Sequence, residues 1–274
     1  MFCFTLNSFL NQTINLMNNI LKLTFLLFVL FSAIHLEAQV TKKTSKKPAT
    51  KAVKKAAPAK PAVKNIQPVS EPMPETRVKI TTDMGEIVVK LSNKTPQHRD
   101  NFIKLVKEHF YDSLLFHRII NGFMIQGGDP ESKNAQPGIM LGSGDVGYTI
   151  PAEFDTTLYH KKGALAAARN NNPEKASSGC QFYLVHGRKY SDDELNMIEL
   201  QNGIKFNSAK RMTYKMLGGT PGLDMNYTVF GEVEKGLEVI DQIAMAPRNN
   251  DNRPVTDIHM RMEVIEEIKN TDDK

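Results

Sequence analysis

The sequence has no tryptophan and only two cysteines, Cys3 and Cys180, in 274 residues. Two thiols cannot build a disulfide framework or fill the four corners of a structural zinc site. The histidines (35, 98, 109, 117, 160, 186 and 259) never fall at a metal-ligand spacing, so each reads as a surface or core residue. There is no Gly-x-Ser-x-Gly elbow, no His-Glu-x-x-His pair and no phosphate-cradling glycine loop. Gly142-Ser143-Gly144 lacks the strand-to-helix setting of a dinucleotide site. Asp129, beside Gly127-Gly128, suits turn chemistry better than half of a carboxylate pair. No metal site is expected from these spacings, and the absence of a repeat argues against solenoids and propellers.

What is present is enough apolar material for a core: 41% hydrophobic residues, with 14 Phe and 7 Tyr. That excludes a wholly disordered chain. The net charge of +5 suggests a nucleic-acid binder until it is subdivided. Residues 42–64 hold nine lysines and no acid, whereas residues 65–274 hold 25 basic and 29 acidic residues. The basicity belongs to a tail, and the globular part is mildly acidic, so no nucleic-acid partner is expected.

Residues 1–38 read as a secretory signal peptide: Lys22, then the apolar run 23–31, then small residues ending at Ala38. The run is shorter than the ~20 residues of a comfortable membrane span. Met17 is an alternative start, and an uncleaved anchor is the alternative to cleavage near Ala38. Export to the periplasm or cell envelope, as a soluble product, is the expected localisation. Residues 39–75 read as a flexible tether, with six prolines in a Lys/Ala background and no aromatic residue. A solvated spacer is its plain reading; anionic cell-surface material is the partner its charge would suit.

From Arg77 the pattern becomes that of a folded domain, expected over 76–269 with a disordered tail at 270–274. Alternation at Val78/Ile80 and Ile87/Val89/Leu91 around Asp83-Met84-Gly85 predicts a β-hairpin. Thr95-Pro96 predicts an N-cap and first helical residue, followed by Phe102, Leu105 and Val106 at helical spacing. Strand-like runs follow at 114–120, 123–126, 164–168, 181–185, 227–233 and 258–264. Between 188 and 218 the pattern is helical, opened by a capping box at Ser191–Glu194, and a last helix is expected over Leu237–Ala244. Many strands with two principal helices and a helical insertion predict a mainly β, closed antiparallel barrel.

The chemistry concentrates in three stretches: FHRIINGFMIQGGD (116–129), GCQFYL (179–184) and YTVFG (227–231). On a strand, Arg118 faces away from His117 and Ile119. Alone it reads as an arginine whose stem packs while its head reaches water, and Phe123 and Met124 read equally as core. Together these stretches, with Ala-Ala-Ala-Arg at 166–169, resemble the cyclophilin-type peptidyl-prolyl cis-trans isomerases from about Val78 to Ile268. The resemblance implies an eight-stranded antiparallel barrel capped by two helices, no cofactor, and isomerisation of X-Pro bonds without a covalent intermediate. It implies catalysis by Arg118, Gln126 and His117, with Phe123, Met124, Ala168, Arg169, Gln181, Tyr183, Leu223 and Tyr227 holding the proline-containing polypeptide.

In that reading the substrates are unfolded or folding exported proteins; the alternative is a non-enzymatic proline-peptide-binding module of the cell envelope. The sequence departs from the family pattern at Tyr183, in place of the usual second Phe, which is expected to place a hydroxyl at the pocket rim. It departs also at Gly222, where many members have Trp or His, and at Tyr227, where several have His. Cys180, in a central strand, is expected to be buried and unreactive.

Overall fold

The computed structural model describes residues 75–265. The expected leader and tail, and the tether as far as residue 74, lie outside these residues. The strands are β1 (Arg77–Thr82), β2 (Gly85–Leu91), β3 (Leu114–Leu115), β4 (Arg118–Ile120), β5 (Met124–Gly127), β6 (Thr149–Ile150), β7 (Ala164–Ala167), β8 (Ser177–Ser178), β9 (Phe182–Val185), β10 (Val229–Lys235) and β11 (His259–Ile265). The helices are α1 (Pro96–Lys107), α2 (Asp192–Asn202), α3 (Ser208–Met216) and α4 (Leu237–Met245).

Nine strands form one antiparallel sheet in the order β3-β11-β1-β2-β10-β7-β9-β5-β4, and β6 pairs with β8 in a separate ribbon. The two ends of the order, β3 and β4, belong to one segment interrupted at Phe116 and His117. Counted together, they return the ladder on itself as an eight-stranded barrel. The expected strand over 114–120 is therefore two strands. Leu114, Leu115, Phe116 and His117 are all buried, and an unbroken pleat sends only alternate residues inward. The bend lets β3 pair with β11 while β4 pairs with β5. The ribbon β6–β8 has no counterpart in the sequence reading.

Strand alternation decides what lies inside. Ile119, Ile125, Leu165, Phe182, Leu184 and Phe230 point into the main core with Val78, Ile80, Ile87 and Val89. Phe102, Leu105 and Val106 of α1 join that core, as do Val239, Ile240, Ile243 and Ala244 of α4. The intervening residues of β5, β7, β9 and β10 form a second apolar cluster: Met124, Tyr183, Val185, Ala164, Ala166 and Val229. This outer face carries the site.

The first turn of α1 is capped differently from the expectation. Thr95 occupies the N-cap position but makes no side-chain cap, its hydroxyl bonding back to the Ser92 carbonyl instead. Glu153 takes the role from a distant loop, accepting from the backbone N–H groups of Gln97 (3.1 Å) and His98 (2.9 Å). A carboxylate there satisfies orphan donors and complements the helix dipole.

The helical stretch resolves into two helices. α2 begins with the capping box Ser191–Glu194, as expected, and ends on Gly203 in the left-handed conformation. Leu195, Phe206 and Tyr214 form a small core of their own with Tyr159 and Tyr190.

Candidate active site

Pairing register lines up one row of outward side chains across five strands. Arg118 lies opposite Gln126, Gln126 opposite Tyr183, Tyr183 opposite Ala166, and Ala166 opposite Val229. A period of two on each strand puts all five on the same face. The FHRIINGFMIQGGD stretch supplies the β4–β5 hairpin of this row, and CQFYL supplies the next strand.

The arginine is held by a chain of amides. Arg118 Nη1 donates to Gln126 Oε1 at 3.2 Å, and Gln126 Nε2 donates to Gln181 Oε1 at 2.9 Å. Gln181 Nε2 then donates to the carbonyls of Gly142 (3.1 Å) and Gly144 (2.7 Å). Donor and acceptor alternate along the chain, so each amide has one orientation. Asp129 secures the far end by accepting from the Glu131 and Gly142 backbone N–H groups, the turn chemistry expected of it. Gly128 permits the close packing beneath: its φ is +91°, and a Cβ there would lie 2.3 Å from the Cys180 carbonyl.

Beside the guanidinium lies a cavity of about 120 Å3. Met124, Phe123 and Leu223 give it an apolar lining with the rings of Tyr183 and Tyr227, and Arg118, Gln126, Ala168 and Arg169 form its polar margin. The two tyrosine rings meet edge to face, with centroids 6.1 Å apart. Arg169 lies over the Tyr227 ring at 4.6 Å and donates from Nε to the Asn226 carbonyl at 2.9 Å. A second cavity of about 100 Å3 adjoins it, sharing Gln126, Ala168 and Arg169 and including Gln181. The two make a continuous trough.

Several expected site residues stand differently from the expectation. His117 does not line the cavity beside Arg118: it is buried, and its ring nitrogens make no well-formed hydrogen bond among the described residues. Burial lowers its pKa to about 4, so it is neutral near pH 7, and it is not among the residues lining the cavity beside Arg118. The catalytic part expected of it has no geometric basis. Tyr183 is corrected as well. Its hydroxyl is not at the rim but 2.9 Å from His160 Nε2, with the residue 4% exposed. Burial holds the phenol well above its ordinary pKa.

Ala168 contributes its side chain only. Its backbone N–H and carbonyl are bonded internally to Gln181 and Ser178. The backbone of Arg169 makes no hydrogen bond within the described residues, leaving the donor and acceptor on this side of the trough. Gly222, next to the pocket residue Leu223, is exposed, and a Cβ there would meet nothing within 4 Å. His160 and Asp224 were not anticipated. Asp224 Oδ1 lies 2.9 Å from His160 Nδ1, directly behind the pocket.

The comparisons agree with this geometry. Residues 77–264 match the family model described as cyclophilin type peptidyl-prolyl cis-trans isomerase. A putative peptidyl-prolyl cis-trans isomerase of Staphylococcus haemolyticus is 33% identical over 67% of this chain and 88% of its own length. The peptidyl-prolyl cis-trans isomerase-like 3 protein of Gallus gallus is 31% identical over 67% of this chain and 92% of its own. In fold, a Cryptosporidium parvum cyclophilin-type isomerase superposes with a TM-score of 0.51 at 21% identity, covering 70% of this chain and 98% of that one. With the barrel, the row of outward side chains and these relatives in view, the chain belongs to the cyclophilin-type peptidyl-prolyl cis-trans isomerase family.

Proposed function

We propose that the chain catalyses rotation about X-Pro bonds in unfolded or folding exported proteins. One observation carries the reading: a guanidinium held by Gln126 stands at the margin of a cavity of about 120 Å3 whose floor is Phe123, Met124, Tyr183 and Leu223. Resonance gives the prolyl amide a rotational barrier of ~18–20 kcal/mol. At mid-rotation conjugation is lost and the nitrogen becomes pyramidal, with a lone pair free to accept a hydrogen bond. The ring sits against Phe123, Met124, Tyr183 and Leu223 while the acyl side turns. Arg118 donates to the nitrogen only in the twisted state, so it stabilises the transition state over either planar form. The free N–H and carbonyl of Arg169 suit an extended substrate backbone laid along the trough.

No bond is made or broken, so no nucleophile or proton transfer enters. A protease-free isomerisation assay on an X-Pro peptide tests this, wild type against Arg118→Ala. Binding without turnover in the wild type would mean a proline-peptide-binding module instead.

Export rests on the leader at 17–38. The mature protein should begin near Gln39; a full-length cytoplasmic product would refute it. The lysine-rich segment suits anionic cell-surface material, and deleting residues 39–75 should abolish any such adhesion while leaving isomerisation intact.

A further inference from the structure

A buried polar network joins the back of the proline pocket to the helical insertion. Tyr214, on α3, is fully buried and donates its hydroxyl to Asp224 Oδ2 at 2.8 Å. Asp224 Oδ1 accepts from the His160 backbone N–H and faces Nδ1 of the same residue, each at 2.9 Å. With Asp224 accepting from Nδ1–H, Nε2 is left to accept the Tyr183 hydroxyl proton at 2.9 Å. Asp224 is 3% exposed and His160 1%, so water does not substitute for any member.

A second handle reaches the same place. Asn202, at the end of α2, donates from Nδ2 to the Gly222 carbonyl at 3.0 Å. That carbonyl and Asp224 flank Leu223, which lines the pocket. The neck of the insertion is also closed on the barrel, since Gly219 bridges to both Arg188 and Lys161. A Cβ at Gly219 would lie 2.2 Å from the His160 carbonyl. Two walls of the pocket, Tyr183 and Leu223, come from segments that the barrel ladder does not pair with each other. The network relates them through polar groups, beside the apolar cluster they share.

We propose that the helices of residues 188–218 are a positioning element for the pocket. Tyr214 and Asn202 fix Asp224 and Leu223, and His160 carries that constraint to Tyr183. The proposal rests on the isomerase reading of the site and assigns it two residues, Tyr214 and Asn202, that never touch substrate.

Tyr214→Phe removes one oxygen and keeps the ring; Asn202→Ala cuts the second handle from an exposed position. Titration of a short Ala-Pro peptide by NMR reads pocket affinity whether or not the protein turns over. Exchange NMR on the same samples reads kcat and KM. Each variant should weaken peptide affinity by about threefold to tenfold, the range for one lost hydrogen bond. KM should rise by the same factor, with kcat changed less than about twofold. Tyr183→Phe combined with Tyr214→Phe should cost no more than the larger single effect, because both cut one relay. Wild-type affinity and KM in Tyr214→Phe and Asn202→Ala, with only the melting temperature lowered, would overturn the proposal. Arg118→Ala judges the isomerase reading separately: it should lose exchange and keep binding.

Discussion

The sharpest prediction concerns Arg118→Lys. The native guanidinium spends one N–H on Gln126, at 3.2 Å, and keeps others for the substrate from a planar fork. Lysine keeps the charge but has three donors on a single point. It cannot hold Gln126 and reach the prolyl nitrogen in the same fixed geometry. Removing one preorganised donor to a transition state costs about 2.7–4 kcal/mol, or about 10²–10³ in rate. Arg118→Lys should therefore fall within about tenfold of Arg118→Ala, both far below wild type. A pure field effect predicts otherwise. Two unit charges 4 Å apart at an effective dielectric of 20 attract by about 4 kcal/mol, and lysine would keep most of whatever fraction applies to the partly charged nitrogen. Exchange NMR on one X-Pro peptide with the three proteins separates the two. Peptide binding should change far less than turnover, since Phe123, Met124 and Tyr183 are untouched. Near-wild-type isomerisation by Arg118→Lys would refute the directed-donor mechanism and leave desolvation by the pocket as the better account.

Phe123→Ala should show the complementary pattern. Losing roughly 50 Å2 of apolar contact at about 25 cal/mol per Å2 should raise KM about tenfold, measured in the same assay. The Cys180 thiol, pushed up to about 11 by burial and 3% exposed, should resist labelling under native conditions; rapid modification would contradict the packing. His117 should shape the acid limb of stability. Burial depresses its folded pKa from 6.5 to about 4, so the unfolded chain takes up the proton first. The stability this residue confers is complete above pH 6.5 and is lost as pH falls toward 4, by about 3 kcal/mol at about 1.4 kcal/mol per pH unit. Urea titrations at pH 7 and pH 4 should show a shallower loss for His117→Phe than for wild type; equal losses would refute this.

Most of the candidate row was legible because it sits on strands. A period of two turned Arg118 away from Ile119, the resemblance supplied Gln126, and the register sets the two opposite each other. What escaped depends on partners remote in sequence. The Tyr183 hydroxyl looked like a rim group because its acceptor, His160, lies on a loop 23 residues earlier with no motif around it. Asp224 pairs with that histidine across 64 residues. The helix cap at α1 was assigned to Thr95, the local candidate, while Glu153 supplies it from 55 residues away. His117 was drawn toward catalysis by the motif it shares with Arg118, yet it lies buried in the break between β3 and β4. The break at Phe116-His117 was invisible because 114–120, apolar at five of seven positions, reads as one strand.

The closure of the barrel sets the order in which it can be completed. Arg77, in the first strand, lies opposite Ile265 in the last described one, and β11 alone joins β1 to β3. A chain emerging amino end first holds β1 and β2 as a hairpin with one side unsatisfied until β11 arrives. Such distant pairing makes for slow folding and a long-lived exposed edge. Closure thus depends on the last described strand, and truncation before His259 should yield an aggregating product instead of a smaller barrel.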